Sequence, residues 1–172
     1  MGVNRPTIPI LGIILAVSGL VLSAFTFTMV LRIDSQVSNY LDQNSWYKYN
    51  GTTFNTDPTY TYLTLTGLTI EFELEQGESA YFSFSCRAHI EANPTAWSRI
   101  VVNFRVDGLF QSDPNAEVGM YQGAFTNHYM IHLETVRDDL SSGTHNLTII
   151  IYGDYTGNYI WKSTLFVQKV AT

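Results

Sequence analysis

Between Leu68 and Glu75 apolar and polar residues alternate without a break. Leu68, Ile70, Phe72 and Leu74 fall on one side, and Thr69, Glu71, Glu73 and Glu75 on the other. A period of two sends successive side chains to opposite faces of a strand, so this segment predicts a half-buried strand with a carboxylate-lined outer face. Phe82, Phe84, Cys86, Ala88 and Ile90 alternate in the same way with Tyr81, Ser83, Ser85, Arg87 and His89. Ile100, Val102, Phe104 and Val106 alternate with Arg99, Val101, Asn103 and Arg105. Tyr129, Ile131 and Leu133 alternate with His128, Met130, His132 and Glu134, and Leu147, Ile149 and Ile151 with Asn146, Thr148, Ile150 and Tyr152. A last strand is predicted over Tyr159 to Val170. Turn-forming residues separate these runs: Gln76-Gly77, Asn93-Pro94, Asp107-Gly108, Asp113-Pro114-Asn115, Ser142-Gly143 and Gly153-Asp154. No comparable stretch after residue 34 has a helical period. About seven to nine antiparallel strands on two faces predict an all-β fold, an antiparallel β-sandwich or jelly roll, over residues 60–172.

The N-terminal pattern is different. Ile8 to Leu31 is 24 residues without a charged side chain. As a helix it would span roughly 36 Å, enough to cross a hydrocarbon core of ~30 Å with some tilt. Residues 8–31 therefore predict a transmembrane helix acting as a signal anchor, with Pro6 and Pro9 suited to its start. Arg5 and the amino terminus precede it, while Arg32 is offset by Asp34, so residues 1–7 are assigned to the cytoplasm and the C-terminal domain to the exterior. A cleaved signal peptide is the alternative, with Leu22-Ser23-Ala24 as the cleavage site. The apolar run continues past it through Phe25 to Leu31, which favours retention. Residues 32–59 are polar and turn-rich and read as a stalk and irregular lead-in, whose Trp46, Tyr47 and Tyr49 are expected to pack on the domain, with a ligand-stacking platform as the alternative.

Charge narrows the function. The chain has a formal charge of −6. Residues 1–34 hold Arg5, Arg32 and Asp34, so the rest carries seven basic and fourteen acidic residues, a net of −7. Nucleic-acid binding is excluded, because phosphate contacts need a basic surface. The single cysteine, Cys86, rules out an intrachain disulfide. On the apolar side of its strand it reads as a small core residue rather than a nucleophile.

No local motif assembles a catalytic site, so the domain is expected to be non-enzymatic, with no catalytic residues, cofactor or metal. His128 and His132 are four apart, which on a strand separates them by about 13 Å, too far to share an ion. His89 and His145 lack local ligand partners and read as surface histidines. Asp113-x-Asn115-x-Glu117 spaces oxygen ligands as a calcium loop would, but lacks the central Gly and distal Glu and contains Pro114, so it reads as a solvated loop. Asp138-Asp139 reads as a polar turn, with a cation site as the alternative. Two sequons, Asn50-Gly-Thr52 and Asn146-Leu-Thr148, are candidate N-glycosylation sites, with Asn146 on an outward strand face. Tyr152, Tyr155, Tyr159 and Trp161 gather near a Gly-rich turn, as a subunit interface or as a platform for sugar rings.

Several segments together resemble jelly-roll domains of the tumour-necrosis-factor/C1q-like kind. Gly77–Cys86 resembles a core strand pair of that fold, and Val101–Gly108 the following strand and turn. Leu140–Ile149 resembles a corner with Gly-Thr-His leading into a strand, and Leu165–Val167 the closing strand. The resemblance covers roughly 60–170. It implies a non-enzymatic module that self-associates, often as a trimer, and carries over no site residue. An apolar helix ahead of a β-domain is also the plan of type IV pilin-like subunits. No acidic residue interrupts 7–31 here, and no pilin processing junction precedes the helix. The reading that results is a membrane-anchored cell-surface protein displaying an interaction domain that forms a homo-oligomer. A glycan-binding surface module and a filament subunit are its alternatives.

Overall fold

A computed structural model describes residues 44–56, 61–122 and 124–171. The predicted membrane helix over 8–31, and the stalk apart from 44–56, lie outside the described residues. Among those described, no helix is long and apolar enough to cross a membrane. Residues 44–172 form one of two units in the chain and contain the whole hydrophobic core described below.

Nine strands are described: β1 Ser45–Asn50, β2 Phe54–Asn55, β3 Leu63–Leu74, β4 Glu78–Ile90, β5 Trp97–Val106, β6 Leu109–Tyr121, β7 Asn127–Arg137, β8 Gly143–Gly153 and β9 Tyr159–Ala171. The front sheet has the order β1-β9-β4-β7, with β2 also on β9, and the back sheet the order β3-β8-β5-β6. With the two-residue β2 set aside, the antiparallel pairs nest: β5 with β6, β4 with β7, β3 with β8, β1 with β9. A ribbon doubled back at the β5–β6 turn and rolled so that successive pairs fall in opposite sheets is a jelly roll. The turn itself is Asp107-Gly108, with φ of 50° and 79°, the left-handed pair that a two-residue hairpin requires.

The apolar halves of the alternating segments meet between the sheets. Phe82 of β4 stands at the centre, its ring 5.5 Å from Phe72 of β3 and 5.7 Å from Phe104 of β5, both edge-on. Cys86 is buried in this core, as its place on the strand predicts, and burial pushes its thiol pKa up to about 12.

Two expectations are corrected. Part of the stretch read as lead-in is sheet: β1 and β2 both pair with β9. Trp46 of β1 lies 6.0 Å from Phe72, beneath the Lys169 ammonium, while Tyr47 and Tyr49 are exposed rather than packed. Asp113-Pro114-Asn115 is not a turn but lies within β6. That strand is a sheet edge, and its register with β5 is interrupted between Asn103 and Arg105 opposite this segment, where a proline costs no ladder bond.

His145 is also corrected, being 6% exposed rather than a surface residue. Its Nδ1 lies 2.7 Å from Asp107 Oδ2 and its Nε2 2.7 Å from the Ser141 carbonyl, so both nitrogens face acceptors and both bonds form only when the ring is protonated. Asp107 also accepts from the Asn146 amide, tying the β5–β6 turn to the start of β8. Burial lowers the imidazole pKa, but the bonds to Asp107 and Ser141 and the Asp107 charge outweigh it, leaving it above the ordinary value. Burial raises the Asp107 pKa, and the bonds from His145 and Asn146 more than reverse this. A raised histidine contributes stability that is fully present below the unfolded value of ~6.5 and is lost as pH rises through the folded value. A lowered aspartate contributes stability that is lost only as pH falls through its own folded value. Urea unfolding of the wild type is therefore expected to show stability declining as pH rises above ~6.5, and His145→Gln is expected to flatten that decline.

Candidate binding face

The outer face of the front sheet is built from the polar halves of the alternating strands. Strand pairing sets its side chains in rows. Tyr47, Phe166, Ser83 and Glu134 form one row, and Tyr49, Thr164, Ser85 and His132 the next. The register of β9 on β4 then shifts. Cys86 faces two residues, Lys162 and Ser163, and Lys162 has φ of 52°. Such a bulge bends and twists its strand and re-aims the side chains beside it. Beyond it, Arg87 lies between Trp161 and Met130 in one row, and His89 between Tyr159 and His128 in the next.

At this end the face forms a depression of about 490 Å³ lined by Arg87, His128, Tyr129, Met130 and Trp161. The Trp161 ring lies 5.6 Å from His128, edge to face, and 5.4 Å from Tyr159. Tyr159 stacks on His89 at 4.4 Å and 12°, and His89 Nε2 lies 3.0 Å from Glu91. The rings thus hold one another in place. Arg87 is exposed and has no hydrogen bond or ion pair among the described residues. Glu91 is paired with His89, and Glu134 with His132 and the Tyr81 hydroxyl at 2.7 Å. The Tyr81 bond holds Glu134 below the usual carboxylate range, helped by His132, and the same bond pushes the Tyr81 phenol up.

The structure divides the predicted aromatic cluster. Only Tyr159 and Trp161 share this face. Tyr152 is on β8 in the back sheet, where Tyr62 lies 5.5 Å away and the Arg99 guanidinium sits 5.9 Å above its ring. Tyr155 is in the β8–β9 connection, its carbonyl accepting from the Thr56 hydroxyl. The division follows from the jelly roll, which sends β8 and β9 to opposite sheets. His89 is brought beside His128, their rings 4.9 Å apart, while His132 lies further along β7. No group of three metal-ligating side chains converges among the described residues. Asp113, Asn115 and Glu117 are spread along β6, with Asn115 bonded to the Ser112 carbonyl and Glu117 paired with Arg99. Asp139 accepts two bonds from Arg137, in keeping with a polar turn. Asn146 is exposed, whereas Asn50 is half-buried and accepts from the Thr52 amide. The sequence reading passed over Arg87 and Met130 as site residues. Alternation shows both pointing outward, but only the long-range pairing of β4 with β7 and β9 sets them beside Trp161.

No family model matches this chain, and no curated protein matches it. Among solved structures it is similar to the CBM36-1 domain of a multidomain xylanase from the hindgut metagenome of Trinervitermes trinervoides. Identity is 11% and the TM-score 0.36, over 75% of this chain and 100% of that one. It is similar to a protein of the T13 IBDV viral particle at 10% identity and TM-score 0.41, over 74% of this chain and 31% of that one. It is also similar to the tripod (BppUct-A-L) from the baseplate of bacteriophage Tuc2009, at 11% identity and TM-score 0.41, over 77% of this chain and 66% of that one. The jelly-roll assignment rests on the strand pairing.

Proposed function

We propose that this chain is a non-enzymatic surface module, held by residues 8–31 as a single-pass membrane anchor, whose front-sheet outer face binds a glycan by stacking a sugar ring on Trp161. The observation that carries this reading is the depression at the bulge, which sets an indole beside an uncommitted guanidinium and an imidazole. A sugar ring offers an apolar face to the indole and hydroxyls to the polar groups around it. Display outside the cytoplasm is supported by the uncharged run from Ile8 to Leu31 and by the acidic domain behind it. Glycosylation at Asn146 would leave the site free, since β8 belongs to the other sheet.

On a glycan array, the full chain in mild detergent is expected to bind a defined set of oligosaccharides, and Trp161→Ala to weaken that binding about tenfold or more, the scale of losing a central aromatic contact. Wild-type protein that retains no glycan overturns the reading.

A second reading, self-association as a homo-oligomer with a trimer as one form, draws on the other end of the same face. Tyr47 and Tyr49 on β1, Val136 on β7 and Val170 on β9 are exposed across that face, and aromatic residues are enriched at interfaces. Light scattering separates the two: a monomer at high concentration removes self-association and leaves glycan binding intact. Mass spectrometry of the native N-terminus tests the anchor. Retained residues 1–31 support it, and removal of that segment points to a cleaved leader or a processed, pilin-like filament subunit.

A further inference from the structure

We propose that the sugar taken by this face is acidic, and that Arg87 recognises its carboxylate. The inference deepens the glycan reading and rests on it. Arg87 lies directly opposite both Trp161 and Met130, at the centre of the depression. Of the other described guanidiniums, two have carboxylate partners and Arg105 has only the Thr64 hydroxyl at 3.4 Å. Arg99 pairs with Asp154 and Glu117, and Arg137 with Asp139. Arg87 has no such partner among the described residues: Glu91 lies four residues along its own chain and Glu134 four residues along β7 from Met130, each about 13 Å away at the strand rise. Each of those carboxylates is bound to a histidine, and Glu134 to a tyrosine as well. Among the described residues Arg87 is therefore an exposed guanidinium without a partner, in a domain whose net charge is strongly negative.

The planar fork of arginine matches a carboxylate through two parallel N–H···O bonds, and these bonds are shorter and stronger than neutral ones. A sugar ring stacked on Trp161 with a carboxylate on its edge would reach Arg87 across one strand spacing of about 5 Å. A neutral sugar would leave the guanidinium to water. The surrounding negative charge makes diffuse attraction of polyanions weak, so an anion held here is held by this local contact.

The test is an array of matched oligosaccharide pairs that differ only in a carboxylate or a hydroxymethyl group on the ring, with sulfated counterparts as a third arm. It is probed with the full chain and with Arg87→Gln and Arg87→Lys. The wild type is expected to prefer the carboxylated member by about ten- to a hundredfold, the range of a charge-assisted bidentate contact. Arg87→Gln is expected to abolish that preference while still binding the neutral member, and Arg87→Lys to restore it only in part. Equal binding of both members, or preference for the neutral or the sulfated one, overturns the proposal and leaves the glycan reading standing. Absence of binding to every member overturns both. Arg87 is exposed and bonded to no described residue, so its replacement is expected to leave the unfolding midpoint unchanged, and loss of binding through misfolding is recognised by a shifted midpoint.

Discussion

Phe82→Ala is expected to lower the unfolding free energy by about 3–5 kcal/mol, the cost of removing a fully buried aromatic ring from a core that closes only partly around the gap. Phe82 is 0% exposed and projects from the front sheet between Phe72 and Phe104 of the back sheet. Its ring therefore joins the two sheets directly. A domain of this size has only ~5–15 kcal/mol of stability, and a chain with one cysteine has no intrachain disulfide to make up the loss. Urea denaturation measures the effect. A loss under ~1.5 kcal/mol, the scale of a volume-conserving swap, would show that the sheets repack without this ring.

Asn158→Ala is expected to cost about 2–4 kcal/mol, though it removes far less volume. Asn158 is fully buried where three connections meet. Its Oδ1 accepts from the Glu91 amide at 2.8 Å and the Ser98 hydroxyl at 3.0 Å, and its Nδ2 donates to the Arg99 carbonyl. Its own carbonyl accepts from the Thr56 amide, which anchors the segment after β2. Alanine removes the side-chain partner of the Glu91 amide, the Ser98 hydroxyl and the Arg99 carbonyl while keeping the backbone bond to Thr56, and a buried group left without a partner costs about 1–3 kcal/mol. Asn158→Asp sets a carboxylate against the Arg99 carbonyl at a fully buried position, so at neutral pH it is expected to cost at least as much as alanine. Because Asn158 directly precedes Tyr159, its loss should also loosen the start of β9 and weaken ligand binding through Trp161. Chemical denaturation and the glycan array on the same protein report the two effects separately.

The alternating segments were legible because a period of two needs no knowledge of partners. β4, β5, β7, β8 and the second half of β3 fall where that period places them, β9 spans the last strand expected, and Asp107-Gly108 forms the turn its residues demand. β1 was not legible. Ser45–Asn50 contains a lysine and three aromatics, and its strand character comes from pairing with β9 more than a hundred residues away. β6 was obscured by Pro114, which an edge strand tolerates and a central one does not. The burial of His145 was hidden for the same reason as β1, since its partner Asp107 comes from a different hairpin. At the site, Trp161 and Tyr159 were recognised by residue type alone. Arg87, His128 and Met130 became their neighbours only through the order β9-β4-β7, which nothing local encodes.

The central claim is that ligand meets the outer face of the front sheet at the bulge end. Amide and methyl chemical-shift mapping of residues 44–172, the unit holding the whole core, tests it most directly during titration with an acidic oligosaccharide selected on the array. Shifts are predicted to concentrate at Arg87, His128, Met130 and Trp161, and to leave Thr69 and Thr148 on the outer face of the back sheet unmoved. Shifts centred on the back sheet or on the Asp107-Gly108 turn, or none at saturating ligand, would contradict it.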